Sequence, residues 1–171
     1  MDTILRRVII GEKLNLVKDD DYDITIMKLV YGADPEQVGL YNWTPLMIAS
    51  MNNSKEMVRL LLEFKADTNS VDRDGKTALM FASHDSSKES AEILLTHRAD
   101  VNIAAQNGET ALMIASQFNE IETAKLFIQH GANVSAVRPD GTDALWVARL
   151  YGNTKVLALL EKHKKKSDKH R

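Results

Sequence analysis

The chain has 171 residues, 44% of them apolar and 27% charged, and a formal net charge of −2. That make-up fits an ordinary globular domain and excludes a disordered polyelectrolyte or a molecule that binds polyanions through its overall charge. It has no cysteine, which excludes disulfides, thiolate metal sites and cysteine nucleophiles and fits a reducing compartment, so an intracellular, cytoplasmic setting is expected, with the nucleus open.

In chain order, the first 40 residues are irregular. Ile4, Leu5, Val8 and Ile9 predict an extra helical turn or two, DDDYD at 19–23 a solvated loop, and YGAD at 31–34 a turn. Arg6 and Arg7 interrupt the first apolar run and acid follows it, so no secretory signal is read there. No segment approaches the ~20 apolar residues of a membrane span.

From Thr44 onward one unit recurs. TPLMIAS at 44–50 returns as TALMFAS at 77–83, as TALMIAS at 110–116 and, altered, as DALWVAR at 143–149. Leu46, Leu79, Leu112 and Leu145 keep one step of 33 residues, as do Ala49, Ala82, Ala115 and Ala148. Several columns holding one period without insertion are the mark of a repeat architecture. Each unit has three physical segments. A turn comes first (RDGKT 73–77, QNGET 106–110, PDGTD 139–143), where Asp-Gly and Asn-Gly supply positive φ cheaply. A short helix then opens at Thr or Asp, whose side-chain oxygen can cap free N–H groups, with Pro45 suited to the first helical position. A longer helix follows at 54–64, 87–97 and 120–130, with apolar residues at helical spacing, as in Met57, Leu60, Leu61 and Phe64.

These units resemble ankyrin repeats. The residues that carry the likeness are Asp74-Gly75, Thr77, Leu79, Ala82, Leu94-Leu95 and Ala99-Asp100-Val101-Asn102 in one unit, and Gly108, Thr110, Leu112, Ala115 and Gly131-Ala132-Asn133-Val134 in the next. The resemblance covers about residues 12–163. It implies an all-α solenoid of stacked antiparallel helix pairs with hairpin-like turns on one edge. The domain reading is one ankyrin-repeat domain at 1–161: an irregular N-terminal capping unit (1–40), full repeats at 41–73, 74–106 and 107–139, and a C-terminal capping repeat (140–161). A basic tail (162–171) follows. Such stacks need polar outer faces at their ends, and the column Leu62, Leu95, Ile128 does become Glu161. The atypical ends predict a self-contained array, although a trimmed fragment of a larger protein has the same look, and a monomer is expected.

The family pattern has His where Met47, Met80 and Met113 stand, a His that ties neighbouring loops by hydrogen bonds. Met has no donor and a weak acceptor; it is expected to fill space in the seam between repeats. Trp146, in the same column, is expected in the core. His97, His130 and His163 also recur at 33, but a stacking distance of roughly 10 Å is too long for shared ligation of a metal. HDSSKES at 84–90 holds Ser, His and Asp, yet sequence adjacency does not make a triad. No phosphate-binding, zincin or nucleophile-elbow motif is present. No catalytic residue, metal or cofactor is assigned.

The expected function is therefore a non-enzymatic protein–protein interaction module, an adaptor or scaffold, for a protein or peptide partner. In the family, the turn tips and the concave side of the short helices contact partners. Carried over, these positions give Tyr41, Trp43, Phe118 and Tyr151 as candidate anchors and Arg73, Asp74, Lys76, His84, Asp85 and Glu109 as a polar rim. Only ten residues of the chain are aromatic, so four on one surface stand out, and aromatics are enriched among binding hot spots. Tyr41 and Trp43, in YNW where other units read DGK, NGE and DGT, have a second reading: packing against the N-terminal cap. The tail KHKKKSDKHR sets six cations against Asp168. It is a solvated helix end, or a contact for nucleic acid or anionic lipid.

Overall fold

The computed structural model describes residues 40–84 and 88–168, with residues 32, 34–36 and 38 before them. The expected N-terminal helical turns, the DDDYD loop, Asp85 and the last three residues of the tail lie outside the described residues. Eight α-helices are present among the described residues, in four pairs: α1 (Pro45–Met51) with α2 (Lys55–Glu63), α3 (Ala78–Phe81) with α4 (Lys88–Thr96), α5 (Ala111–Gln117) with α6 (Ile121–Gln129), and α7 (Ala144–Leu150) with α8 (Thr154–Asp168). Each short helix packs on the next short helix and each long helix on the next long helix, so the pairs stack as the storeys of an all-α solenoid. The α3–α5 contact is the thinnest in the short-helix layer.

Local chemistry starts and stops the helices. Thr44, Thr77 and Thr110 accept the N–H of Met47, Met80 and Met113 on their hydroxyls at 3.3–3.4 Å, and the Asp143 carboxylate accepts that of Trp146 at 2.8 Å. These caps satisfy N–H groups that a helix leaves free at its first turn. The first three long helices end in one motif. Lys65, Arg98 and Gly131 take positive φ, and the next residue sends its N–H back five residues, as in Ala66 to the Leu61 carbonyl at 3.0 Å. That is the left-handed helix stop. The turns between storeys form narrow hairpins, with antiparallel bridges Ala104–Thr110 and Val137–Asp143.

The core is one continuous slab. The Leu46 and Ala49 columns are buried in all four storeys, and Val58, Ala91, Ala124 and Leu160 are sealed beneath the long helices. Met47, Met80 and Met113 are no more than 2% exposed, so the methionine column fills the seam as expected. It does slightly more: the Thr44 N–H donates to Met47 Sδ at 3.4 Å, a weak return half of a capping box. Inter-storey ties instead run along the loop edge, where Asn69 and Asn102 accept the N–H groups of Asp100 and Asn133, each at 2.8 Å.

Trp146 does not join the core. It is 48% exposed. Each methionine in its column is covered by the storey that follows, and among the described residues no storey follows α7 and α8. Glu161, by contrast, stands on this end face and accepts a bond from Arg149 Nη2 at 2.9 Å.

Candidate protein-binding surface

Turn tips and short helices together form the surface on which the candidate residues fall. Tyr41 is at the first tip, 62% exposed and at φ 63°, in the left-handed region that few side chains enter. The Arg73 guanidinium stands 5.9 Å from its ring centre, and the Arg73 N–H donates to the Tyr41 carbonyl at 3.0 Å. Asp74, exposed on the second tip, accepts the Gln106 N–H on its carbonyl at 2.9 Å. The tips of the first three storeys are thus laced backbone to backbone.

Trp43 is half-buried. It turns along the stack, toward the second storey. Its ring meets Phe81 edge-on with centroids 5.1 Å apart, and its Nε1–H donates to Asp72 Oδ2 at 3.2 Å. The other oxygen of Asp72 accepts the N–H groups of Asp74 and Lys76 at 2.9 and 2.8 Å, which holds the second turn closed. In the third storey Glu109 occupies the position equivalent to Trp43 and makes the mirrored contact: Arg138 Nη2 donates to it, and Lys76 Nζ lies 3.9 Å away. Trp43 to Asp72 and Glu109 to Arg138 span the same 29 residues. One coupling site therefore recurs with donor and acceptor exchanged. At the junction between them, the residue 29 positions on from Lys76 is Ala105, which has no polar side chain.

A cleft of about 330 Å³ opens at that middle junction, between α3 and α5. Lys76 and Glu109 line its turn end, Met80 and Ile114 its floor, and Phe81, His84, Gln117 and Phe118 its sides. The His84 and Phe118 rings lie 5.7 Å apart, tilted by 50°. Four candidates from the sequence, Lys76, His84, Glu109 and Phe118, are brought together here. Trp43 joins through Phe81, while Tyr41, Arg73 and Asp74 form the neighbouring tips. Tyr151, exposed, sits apart in the last storey. Phe81, Ile114 and Arg138 were not singled out from sequence. Phe81 could have been, since it is the one aromatic in the column Ile48, Phe81, Ile114, Val147.

At the fourth tip, Asp140 Oδ1 accepts the Thr142 hydroxyl at 2.7 Å and its N–H at 2.9 Å. The hydroxyl bond, then the N–H bond, hold this carboxyl below the usual aspartate range. His97 Nδ1 bonds the Ile93 carbonyl at 2.9 Å and caps its own helix end. In the tail, Lys164 lies 3.2 Å from Asp143, so one of the tail's cations is bound to the stack. No helix among the described residues is long and apolar enough to cross a membrane.

No curated protein matches the chain at a significant level. The family model of ankyrin repeats, which spans three copies, matches residues 16–105 and again 98–170. Ankyrin repeats are generally protein–protein interaction modules and typically non-enzymatic. With nearly the whole chain covered, and with capped helix pairs stacked at a period of 33, the protein belongs to the ankyrin repeat family.

Proposed function

We propose that the chain is a non-enzymatic adaptor that holds a partner protein or peptide on the concave side of its short helices. The observation that carries this reading is the cleft between α3 and α5, where two phenylalanines and a histidine border an opening that ends in a Lys76–Glu109 contact. Its volume, about 330 Å³, is at the low end of ligand sites and suits one large apolar side chain of a partner. Phe118 stands exposed at its rim, as an anchor for a partner would. Lys76 and Glu109 would accept the polar groups flanking that side chain. The scaffold is prepared for this role because α3 and α5, which frame the cleft, are both capped by threonine, so little order would be lost on binding.

The test is selection of displayed random peptides on the immobilised full chain. Enriched peptides should share one large apolar residue, and their binding should fall at least tenfold on Phe118→Ser, a change at an exposed position that leaves the fold intact. Equal enrichment on the parent and on Phe118→Ser would overturn the assignment of this surface.

A further inference from the structure

Eight large apolar side chains are exposed among the described residues, and three of them, Trp146, Leu150 and Tyr151, belong to the last storey. Trp146 and Leu150 are one helical turn apart on α7, with Arg149 on the same side. This is the face that α1, α3 and α5 turn toward the next storey, because Met47, Met80 and Met113 are sealed there in register with Trp146. The end face of α7 and α8 therefore continues an interface that the described storeys make three times among themselves.

Its charges are ordered. Antiparallel α7 and α8 are joined across this face by Arg149 with Glu161 at 2.9 Å and by Lys164 with Asp143 at 3.2 Å. Along α7 the signs run minus, then plus. Along α8, at the same heights, they run plus, then minus. Trp146 lies between the two charges of α7.

We infer that this end face seats a second copy of the chain, related by a two-fold axis. An axis between α7 and α8, parallel to both, lays α7 of one copy over α8 of the other. Arg149 then faces Glu161 of the second copy, and Asp143 faces Lys164 of the second copy. Every charge meets its opposite, as a self-complementary interface requires. A face of a single sign would repel its own copy. The indole of Trp146, placed over α8 of the second copy, is the apolar anchor at the centre. This pairing uses neither the cleft nor the turn tips and stands independently of the proposed adaptor role.

Sedimentation velocity of the full chain over a wide concentration range tests it. The mass should rise from 19.2 kDa to twice that value. Trp146→Glu should raise the dimer dissociation constant by about thirtyfold or more, the loss typical of a central anchor. Arg149→Glu should do the same, and Arg149→Glu with Glu161→Arg should restore dimerisation, since every charge then again faces its opposite on the second copy. In a Trp43→Phe background Trp146 is the sole tryptophan, and its emission should shift to the blue as the dimer forms. A constant monomer mass up to about 1 mM, a dimer indifferent to Trp146→Glu, or assembly that continues past two copies would each overturn the proposal.

Discussion

Replacing Trp43 by Phe separates a strut from a ligand anchor. The substitution keeps an aromatic ring against Phe81 but removes the Nε1–H that donates to Asp72 Oδ2 at 3.2 Å. Asp72 is 6% exposed, so water has poor access to the oxygen left behind. Its other oxygen keeps the two turn N–H bonds, and the loss is confined to one hydrogen bond to a charged group. Such a bond contributes about 1.5–3 kcal/mol. Taking ~2 kcal/mol, the melting temperature should fall by about 4–8 °C for a chain of this length. Trp43→Ala should cost more, about 3–5 kcal/mol, because the ring contact also goes.

Urea unfolding and a double-mutant cycle with Asp72→Asn measure the bond directly. Asn still accepts the turn N–H groups on its amide oxygen, yet its NH₂ presents a donor to a donor at Trp43. The cycle should return a coupling of about 1–2 kcal/mol between the two positions. Native-state hydrogen exchange should show protection lost first in α1 and in the turn at 72–77, the elements that the bond joins. If Trp43→Phe is as stable as the parent within about 0.3 kcal/mol, or the two changes simply add, the bond does not hold the first turn to the second. If stability is unchanged while peptide capture is lost, Trp43 is a contact for the partner and the structural account of it fails.

Two further outcomes follow from the turns. A Cβ at Gly108, where φ is +78°, would stand 2.7 Å from Pro139 Cδ, whereas at Gly141, φ +83°, it would meet nothing within 4 Å; Gly141→Ala should therefore cost only the left-handed penalty of about 1–2 kcal/mol, and Gly108→Ala should cost about 1–3 kcal/mol more, with equal losses in urea unfolding refuting the contact between these turns. Thr142→Val should move the Asp140 titration upward in an NMR pH series, because the hydroxyl bond is the largest cause of its lowered value. The sign is that of a depressed carboxylate: its contribution to stability is present at neutral pH and is lost as pH falls through the folded-state value. An unmoved Asp140 would assign the effect to the backbone N–H alone.

Residues that repeat were legible in the sequence, and residues whose surroundings do not repeat were not. Thr77 and Thr110 announce their caps by spacing alone, and a Met between Leu and Ile or Phe in a helix that opens on Thr has only the seam to occupy. Trp146 misleads for the same reason. A column assigns each position the surroundings of its copies, but what buries Met113 is α7, a different storey, and Trp146 has no such neighbour among the described residues. Trp43 and Glu109 hid their partners differently. Their bonds cross from one column to another 29 residues on, and the residue pair changes from an indole with a carboxylate to a carboxylate with a guanidinium. A search for identical residues passes over such a pair; a search for donor–acceptor complementarity at one fixed offset finds it.

The location of the cleft follows from the same accounting. Three junctions join the four described storeys at the turn edge. The first has both a side-chain tie, Trp43 to Asp72, and a backbone tie, Arg73 to Tyr41. The third has the Glu109–Arg138 ion pair, while Pro139 has no N–H to repeat the backbone tie. The middle junction has the backbone tie from Gln106 to Asp74, reinforced by Gln106 Nε2 on the Arg73 carbonyl at 2.7 Å, and a long Lys76–Glu109 contact at 3.9 Å, but Ala105 supplies no polar partner at the offset of 29 residues that the other two junctions use. Its tips are held together while the space behind them stays open, beside the thinnest contact in the short-helix layer. A polar bridge restored there, Ala105→Asp facing Lys76, should narrow the cleft, raise stability slightly and lower peptide capture together. A gain in stability with capture untouched would show that the opening between α3 and α5 is a gap in the packing and not the seat of a partner.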